Sequence, residues 1–185
     1  MPRHGLGRAA VIAAAVKLAD KKGYAELTLG NLARKLDIKP PSLYKHVASL
    51  EDLQDAIGIL AAEALTAELA PAMEIQNPRE ALRRACGIYR SFAKQRPGMY
   101  GALQGAMARR SPEFQVAATA LLRTIFSLVT ALGVKDSELV HAVRALRSLL
   151  HGFVSLELIA GFGMPEDIEA SFQYQVEIYI LGLKK

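Results

Sequence analysis

The chain of 185 residues has no tryptophan and a single cysteine, Cys86. One cysteine excludes a disulfide framework and a cysteine-rich zinc site, so the sequence is not that of a small disulfide-stapled secreted domain. We therefore expect a cytoplasmic protein. Uninterrupted apolar runs are also short, since none reaches the roughly 18 residues that a membrane-spanning helix needs. We expect no membrane partner.

Patterns typical of catalysis or metal binding are likewise scarce. We expect the four histidines to form no metal site with the acids, through neither a His-x-x-x-His nor a Glu-x-x-His pattern. Strand signals are few, so no glycine-rich phosphate loop follows a predicted strand. Glu157 lies among apolar residues, but no second carboxylate accompanies it in the sequence to form an acid–base pair. The sequence predicts that the protein is not an enzyme and that it holds no metal or cofactor.

Positive charge is concentrated in the first 50 residues. This part contains nine Lys or Arg residues against three acids and carries a charge of +6. The remainder has 14 basic and 15 acidic residues, which gives −1 and leaves the whole chain at +5. A basic N-terminal module on a nearly neutral remainder suggests a polyanion as the partner of that module. A solvated basic surface explains the charge equally well, so charge alone leaves both interpretations open.

Helical signals recur from end to end and predict an all-α fold with about nine helices. Apolar positions within residues 11–18 share one helical face, and Gly23 stands where a helix stop belongs. One short helix is predicted over residues 28–36 and a second over residues 40–47, joined by the turn Asp37-Ile38. Later helix starts are predicted at Ser49, Asn77, Ser111 and Pro165, and the helix that begins at Ser49 is predicted to end at Pro71.

The two short helices require a third packing partner. Helices of this length cannot bury their own apolar faces, and the helix over residues 11–18 supplies the missing surface. Such a three-helix arrangement presents the second short helix to the major groove of DNA, which is wide enough to admit it. The predicted internal packing set is Leu32, Leu36, Ile38 and Leu43, with the small Ala33 where the helices cross.

The exposed side of the second short helix carries lysine and hydroxyl side chains. Lysine reads guanine edges or neutralises phosphate, and serine and tyrosine hydroxyls are common phosphate partners. Thr28 combines a hydroxyl with a helix N-terminus, which suits a phosphate. Tyr44 could instead be a core aromatic residue, and His46 could simply pack at the helix end. The residues predicted to contact DNA are Thr28, Lys39, Pro41, Ser42, Tyr44, Lys45, His46 and Arg8.

Residues from about 5 to 60 resemble the N-terminal domain of the TetR family of bacterial regulators. The resemblance implies a three-helix helix-turn-helix DNA-binding domain (residues 1–50) followed by a helical ligand-binding and dimerisation domain (residues 51–185). It also implies a homodimer that binds a quasi-palindromic DNA operator, most often as a repressor, and that a small-molecule effector releases. The matching pattern is Gly23, Leu27-Thr28-Leu29, Leu32-Ala33, Leu36, Ile38, Ser42-Leu43-Tyr44, His46-Val47, Ser49 and Asp52-Leu53.

Two positions depart from the family pattern. Asp37 stands where the family turn usually has glycine, and aspartate tolerates a left-handed backbone better than most residues. Leu50 stands where the family often has a lysine that touches phosphate. We expect the basic residues Arg3 and Arg8 to compensate for that lost contact.

The last two predicted helices, about residues 137–161 and 165–183, are apolar on more than one side. Helices of this kind must be buried on more than one side. In the family they form a four-helix bundle across a two-fold axis, although packing within one subunit remains the alternative. Gly152 costs about 1 kcal/mol of helix propensity, which a close helix approach would explain. The predicted dimer interface comprises Gly152, Phe153, Leu156, Phe172, Val176, Tyr179 and Ile180.

The resemblance also implies an effector pocket between the middle helices. The stretch over residues 147–153 partly resembles a His-Gly signature of one TetR subgroup, although Arg147 stands where that subgroup often has tryptophan. For each pocket candidate an ordinary core role is the stronger alternative, and His151 in particular could be hydrogen-bonded in the core. The predicted ligand-binding residues are Tyr89, Phe92, Tyr100, Met107, Phe114, Arg147 and His151.

Two other function classes remain open at this point. A helical protein–protein adaptor could carry an incidental basic module. An all-α enzyme would need clustered acid–base groups in one pocket, which the sequence does not supply.

Overall fold

The computed structural model describes residues 6–109 and 111–183. Over these residues the chain forms nine α-helices and one 3₁₀ turn, without a β-strand, which confirms the all-α fold class and the helix count. The elements are α1 (Arg8–Lys22), the 3₁₀ turn (Tyr24–Glu26), α2 (Leu29–Leu36), α3 (Pro40–Leu43), α4 (Leu50–Met73), α5 (Pro78–Gln95), α6 (Pro97–Arg109), α7 (Pro112–Thr130), α8 (Asp136–Leu158) and α9 (Ile168–Gly182).

The helices group into two compact units. The first unit comprises the residues up to Ala64 together with Gln95–Thr119, so it contains α1, α2, α3, α6 and the beginnings of α4 and α7. The second unit comprises Leu65–Lys94 and the residues from Ala120 onward, with α5, α8 and α9. The domain boundary at residue 50 stays a prediction, whereas the packing of α6 on α1 within the first unit was not expected.

The termini of α1 and α2 follow from their capping residues. Gly23 ends α1 with a φ of 93°, which is costly for residues that carry a Cβ. The Thr28 hydroxyl accepts a hydrogen bond from the backbone N–H of Asn31 at 3.1 Å and caps α2, as predicted. Asp37 ends α2 in the left-handed region with φ 53° and ψ 47°. The turn therefore adopts a left-handed conformation without glycine, as aspartate allows.

The second short helix is shorter than predicted. Helix α3 ends at Leu43, and hydrogen-bonded turns continue the chain through His46. The N–H of Val47 still donates to the carbonyl of Leu43 at 3.0 Å, so the segment keeps a helical direction. The next helix then begins at Leu50, where the Oγ of Ser49 caps it by accepting from the N–H of Asp52 at 3.1 Å.

Helix α4 continues past the point at which it was predicted to stop. Pro71 lies within its last turn, where a proline removes only one backbone hydrogen bond, and the helix ends at Met73. Within the described residues α4 is also the helix that is long and apolar enough to cross a membrane, with a mean hydropathy of 1.4 over 18 residues. Glu63 and Glu68 interrupt this stretch, so the candidate span is not an uninterrupted apolar run. Its Leu53, Ile57 and Leu65 are fully buried, and a core helix has the same length and composition as a membrane span, so this is weak evidence for a membrane.

Helix α6 is fixed in the first unit by side chains from two other helices. The carboxylate of Asp20, at the end of α1, accepts hydrogen bonds from the backbone N–H groups of Gly98 and Met99 at 3.0 and 3.2 Å and thereby caps α6. At the other end, the guanidinium of Arg109 donates to Asp55 of α4 at 2.6 Å. Both ends of α6 are thus tied to the helices that surround the predicted DNA-binding module.

The predicted packing set of the three N-terminal helices is only partly buried. Leu32, Leu43 and Ala33 are at most 1% exposed, in agreement with their predicted positions. Leu36 and Ile38 are half-buried, because they lie at the turn, at the edge of the core. The core of the first unit instead receives Met99, Tyr100, Ala102, Leu103 and Ala106 from α6.

The start of α9 lies after the predicted one. Pro165 precedes the helix, and Asp167 caps it by accepting hydrogen bonds from the N–H groups of Glu169 and Ala170 at 3.0 and 3.3 Å. The carboxylate of Asp167 accepts from two N–H groups of the first turn, which the side chain of Pro165 could not do. The helix therefore begins at Ile168.

A buried arginine joins the helices of the second unit. Arg90 of α5 is 8% exposed and donates to both carboxylate oxygens of Glu157 of α8, at 2.7 and 2.9 Å. It also pairs with Glu169 of α9, and its guanidinium lies over the rings of Phe153 and Phe172. The hydrogen bond from Arg90 is the main reason that the pKa of Glu157 lies below its ordinary value. Glu157, which seemed isolated in the sequence, therefore belongs to a fixed ion-pair cluster.

We expect the change Glu157→Gln to destabilise the protein by about 3 kcal/mol, since it leaves a buried guanidinium with an incomplete set of partners. Urea unfolding followed by circular dichroism measures this difference. The matched control is Glu177→Gln, which breaks the exposed pair of Glu177 with Arg83 and should cost less than about 1 kcal/mol. Equal losses in the two variants would show that the buried cluster contributes no more than a surface pair.

Candidate nucleic-acid interface

The segment over α3 and the following turn has one buried and one exposed side. Leu43 and Val47 are at most 1% exposed and anchor the segment in the core of the first unit. Tyr44 is 59% exposed, and Lys45 beside it is also exposed. The alternative that Tyr44 is a core aromatic residue does not agree with this exposure. An aromatic hydroxyl and an ammonium group therefore point to solvent from a rigidly held segment.

The other predicted contact residues lie on the same segment or at the start of α2. Lys39 and Pro41 are exposed, while Ser42 and His46 are half-buried. Pro40 and Pro41 occupy the first two positions of α3 and have no N–H, and the N–H of Ser42 donates to the carbonyl of Lys39 at 2.9 Å. The first turn of α3 therefore offers no free N–H to a phosphate, and side chains must supply the contacts. Thr28, exposed at the N-terminus of α2, has the geometry that favours an anion.

Arg8, which was predicted to contact DNA, has partners within the first unit. Its guanidinium donates to both carboxylate oxygens of Asp52, at 2.6 and 2.8 Å, and to the backbone carbonyl of His46 at 2.9 Å. These hydrogen bonds engage both terminal nitrogens, but the side chain is 47% exposed, so a contact of Arg8 with DNA stays a prediction. Arg3, the other residue expected to compensate for Leu50, lies outside the described residues. The pairing with Asp52 spans 44 residues in sequence, and no spacing rule reveals it.

Arg8 also determines the ionisation of Asp52. The hydrogen bonds from Arg8, followed by one from the N–H of Ala48, lower the pKa of Asp52 from 3.8 to about 2. A pKa that is lower in the folded state means that the pair stabilises the fold fully above about pH 4. This contribution is lost as the pH falls from about 4 towards 2. At neutral pH the pair is fully charged.

Five of the seven predicted dimer-interface residues are buried within the second unit. Phe153, Phe172, Val176, Tyr179 and Ile180 are at most 9% exposed, and the Tyr179 hydroxyl donates to the carbonyl of Ala142 at 2.8 Å. The prediction that these side chains form an outer face needs correction, since they fill the core of the unit itself. Gly152 and Leu156 are exposed and remain candidates.

A different set of apolar side chains is exposed on α8 and α9. On α9, Tyr174, Ile178 and Leu181 are spaced four and three residues apart and are 70%, 53% and 68% exposed. On α8, Leu156 is 46% exposed, and a Cβ added at Gly152 would meet no atom within 4 Å. The i, i+4, i+7 spacing on α9 could have been recognised in the sequence as a second apolar face. We call these five residues the α8/α9 face.

The seven predicted ligand-binding residues are distributed over both units. Tyr100, Met107 and Phe114 belong to the first unit, whereas Tyr89, Phe92, Arg147 and His151 belong to the second. Phe92, Tyr100 and Phe114 are buried, Tyr89, Met107 and His151 are half-buried, and Arg147 is exposed. Burial, and then the charge of Arg147, lowers the pKa of His151. None of the seven lines the open groove of about 530 Å³ in the second unit, whose walls include Asn77, Arg79, Leu132 and Ile180.

A metal site finds no support in the described residues. No group of three or more His, Cys, Asp or Glu side chains there is arranged to hold a metal ion. The expectation that no Glu-x-x-His pattern occurs is wrong, since Glu138 and His141 have this spacing; both residues are exposed on α8. The thiol of Cys86 is buried, and burial raises its pKa to about 12, so it is a poor nucleophile and metal ligand at neutral pH.

Two family models match the chain on either side of the middle of α4. The model described as "Bacterial regulatory proteins, tetR family" matches residues 11–57. The model described as "Tetracyclin repressor-like, C-terminal domain" matches residues 82–179. The first match includes α2, α3 and the turn at Asp37, and the second includes the α5–α9 region.

Two curated bacterial proteins are similar over most of the chain. The uncharacterized HTH-type transcriptional regulator Rv0681 of Mycobacterium tuberculosis is 31% identical over 165 residues, which cover 89% of this chain and 74% of that protein. The uncharacterized HTH-type transcriptional regulator YobS of Bacillus subtilis is 27% identical over 183 residues, which cover 98% and 95%.

Solved structures share the fold over almost the whole chain. A Rhodococcus protein of unknown function superposes with a TM-score of 0.81 at 21% identity, covering 99% of this chain and 98% of that one. BioQ with its natural double-stranded DNA operator has a TM-score of 0.72 at 23% identity, with coverages of 96% and 97%. A TetR variant from Acinetobacter baumannii in complex with minocycline has a TM-score of 0.67 at 26% identity, with coverages of 94% for both.

Proposed function

Because the chain belongs to the TetR family of bacterial regulatory proteins, we propose that it is a repressor that binds a quasi-palindromic operator as a homodimer and is released by a small molecule. DNA binding and transcriptional regulation follow from the family itself. The repressor role, the homodimer, the effector and a cytoplasmic location are the parts that we propose.

The observation that carries the DNA-binding proposal is the two-sided packing of the segment after Pro40. Leu43 and Val47 hold it in the core, so Tyr44 and Lys45 project outward without needing to move on binding. Preorganised side chains lose little conformational freedom when they bind a phosphate or a base edge. The solved complex of BioQ with its operator, which has the same fold, supports DNA as the partner.

The homodimer is supported by the α8/α9 face. An exposed row of Tyr174, Ile178 and Leu181 is unusual on a soluble monomer and marks an interaction surface. A Cβ added at Gly152 would meet no atom of another segment within 4 Å, so this position would let a second helix approach closely. A two-fold contact of this face with its own copy gives the isologous interface that two operator half-sites require.

The effector is proposed to act by changing the distance between the two recognition segments of the dimer. A ligand can do so only if it binds one arrangement more tightly than the other. The minocycline complex of a TetR variant with the same fold supports a small molecule as effector. By reciprocity, any true effector must lower operator affinity and must itself bind more weakly to the operator complex; a compound that binds without either effect is not the effector.

We expect Lys45→Ala to lower the affinity of the dimer for operator DNA at least about tenfold and to reduce the slope of log K against log salt by about 2, because each of the two subunits loses one phosphate contact. Fluorescence anisotropy at several salt concentrations measures both quantities. The matched control is Lys135→Ala, which removes an exposed lysine before α8 in the second unit and should change neither.

Two results would contradict the proposal. A wild-type protein without steep salt-dependent binding to any DNA would exclude an operator-binding role. If Lys45→Ala and Tyr44→Ala bound DNA as well as wild type, the basic module would be incidental, as it would be in a protein–protein adaptor. Deletion of the gene should also raise transcription from the promoter that the protein occupies, since a repressor acts by occlusion; a fall in transcription would indicate an activator.

A further inference from the structure

We propose that Arg8 and Asp52 form a clamp that positions the recognition segment for the operator, and that Arg8 is not a phosphate ligand. The proposal rests on the DNA-binding function proposed above. It concerns which residues fix the angle at which Tyr44 and Lys45 are presented. It assigns a positioning role to an arginine that charge and sequence alone would place on the DNA backbone.

The clamp connects three segments of the first unit through one guanidinium group. Arg8 is the first residue of α1, and its two terminal nitrogens donate to Oδ1 and Oδ2 of Asp52 in the first turn of α4. One of these nitrogens also donates to the carbonyl of His46, immediately after Tyr44 and Lys45. The end of the recognition segment is therefore held by the same group that joins α1 to α4.

Asp52 also forms hydrogen bonds with the turn between α3 and α4. Its Oδ2 accepts from the backbone N–H of Ala48 at 2.8 Å, and its own N–H donates to the hydroxyl of Ser49. The turn between α3 and α4 thus has its backbone bonded at His46 and Ala48 to one charged pair. These bonds add directional constraints to the anchoring of the segment by the buried side chains of Leu43 and Val47.

The geometry requires the arginine fork and not merely a positive charge. Two parallel N–H···O bonds to one carboxylate fix direction as well as distance, which an ammonium group cannot do. The side chains are 47% and 31% exposed, so solvent screens the pair and its contribution to overall stability is small. A clamp of this kind changes where the segment points far more than whether the unit folds.

The experiment uses the full chain and a duplex that the wild-type protein selects from a random-sequence library, with a scrambled duplex as the non-specific probe. We expect Arg8→Lys to lose about tenfold in affinity for the selected duplex, although its charge is unchanged. The affinity for the scrambled duplex should stay within about twofold, and the melting temperature within a few degrees. A residue with a purely structural role would lower the melting temperature without changing this ratio of affinities.

The variant Asp52→Asn distinguishes the clamp from a simple electrostatic effect on DNA binding. If only electrostatics mattered, removing a negative charge near DNA would strengthen binding. The clamp predicts the opposite, a loss of about tenfold, and predicts that Arg8→Gln combined with Asp52→Asn is no worse than either single change. Lys22→Gln, which removes an exposed charge from the end of α1, calibrates the simple electrostatic effect.

Each outcome decides between the two proposals. If the wild-type protein selects no sequence, the DNA-binding function fails and the clamp fails with it. If the wild type selects a duplex but Asp52→Asn binds it as tightly or more tightly, only the clamp is wrong. The same holds if Arg8→Lys keeps full affinity while Arg8→Gln reduces the salt slope by about 2, since Arg8 of each subunit would then be a phosphate ligand.

Discussion

The variant Ile178→Arg should be a folded monomer that no longer binds the operator. Ile178 is the central residue of the exposed row on α9 and is 53% exposed, so an arginine there is tolerated in a single subunit. In a two-fold interface the substituted residue occurs twice, and two like charges would lose their water on contact. We expect the dimer dissociation constant to rise at least about a thousandfold, or about 4 kcal/mol. Sedimentation equilibrium measures the change, and circular dichroism checks that the helices persist.

Operator binding should fall together with dimerisation. A monomer contacts one half-site, so it loses the gain that a linked second contact provides. The matched control is Val116→Arg on α7, where a residue that is 76% exposed lies in the other unit and should leave the dimer unchanged. A dimer of normal affinity in the Ile178→Arg variant would exclude the α8/α9 face.

Measuring the oligomeric state of a second variant, Val176→Arg, distinguishes the α8/α9 face from the interface predicted from the sequence. Val176 is 3% exposed, and an arginine at that position would place a charge in the core of the second unit. Val176→Arg should therefore unfold the protein instead of producing a monomer. A well-folded monomer from that variant would support the interface as it was first predicted.

The sequence was informative wherever a local rule determines the structure. Thr28 caps α2, Asn77 caps α5, and Asp37 adopts the left-handed conformation, because each depends on residues within a few positions along the chain. The same is true of the burial of Leu43 beside the exposed Tyr44. The DNA-binding module could therefore be located from one sequence.

Contacts between segments that are far apart along the chain could not be predicted from local sequence rules. The partner of Arg8 is 44 residues away, and the partners of Arg90 are 67 and 79 residues away, so charge composition could only suggest that Arg8 was free for DNA. The orientation of helix α9 could not be predicted from the sequence either. Both of its faces are apolar, and the sequence does not distinguish the face that packs within the subunit from the face that stays exposed. That choice depends on the buried cluster around Arg90, which holds α8 and α9 against α5.

The change Gly98→Ala should be among the most destabilising single-methyl substitutions in the chain. A Cβ at Gly98 would overlap the backbone of Ala19 and Asp20 and lie 2.5 Å from the Cβ of Ala19, so α6 would have to separate from α1. Backbone atoms cannot turn aside as a flexible side chain can, and we expect a loss of about 3 kcal/mol. For a chain of this size that corresponds to roughly 10 °C in Tm, measured by thermal unfolding. Gly87→Ala is the matched control, because a Cβ there meets nothing within 4 Å, and better helix propensity should stabilise α5 by about 0.5–1 kcal/mol. Equal Tm values for the two variants would show that the approach of α6 to α1 is not as close as the glycine implies.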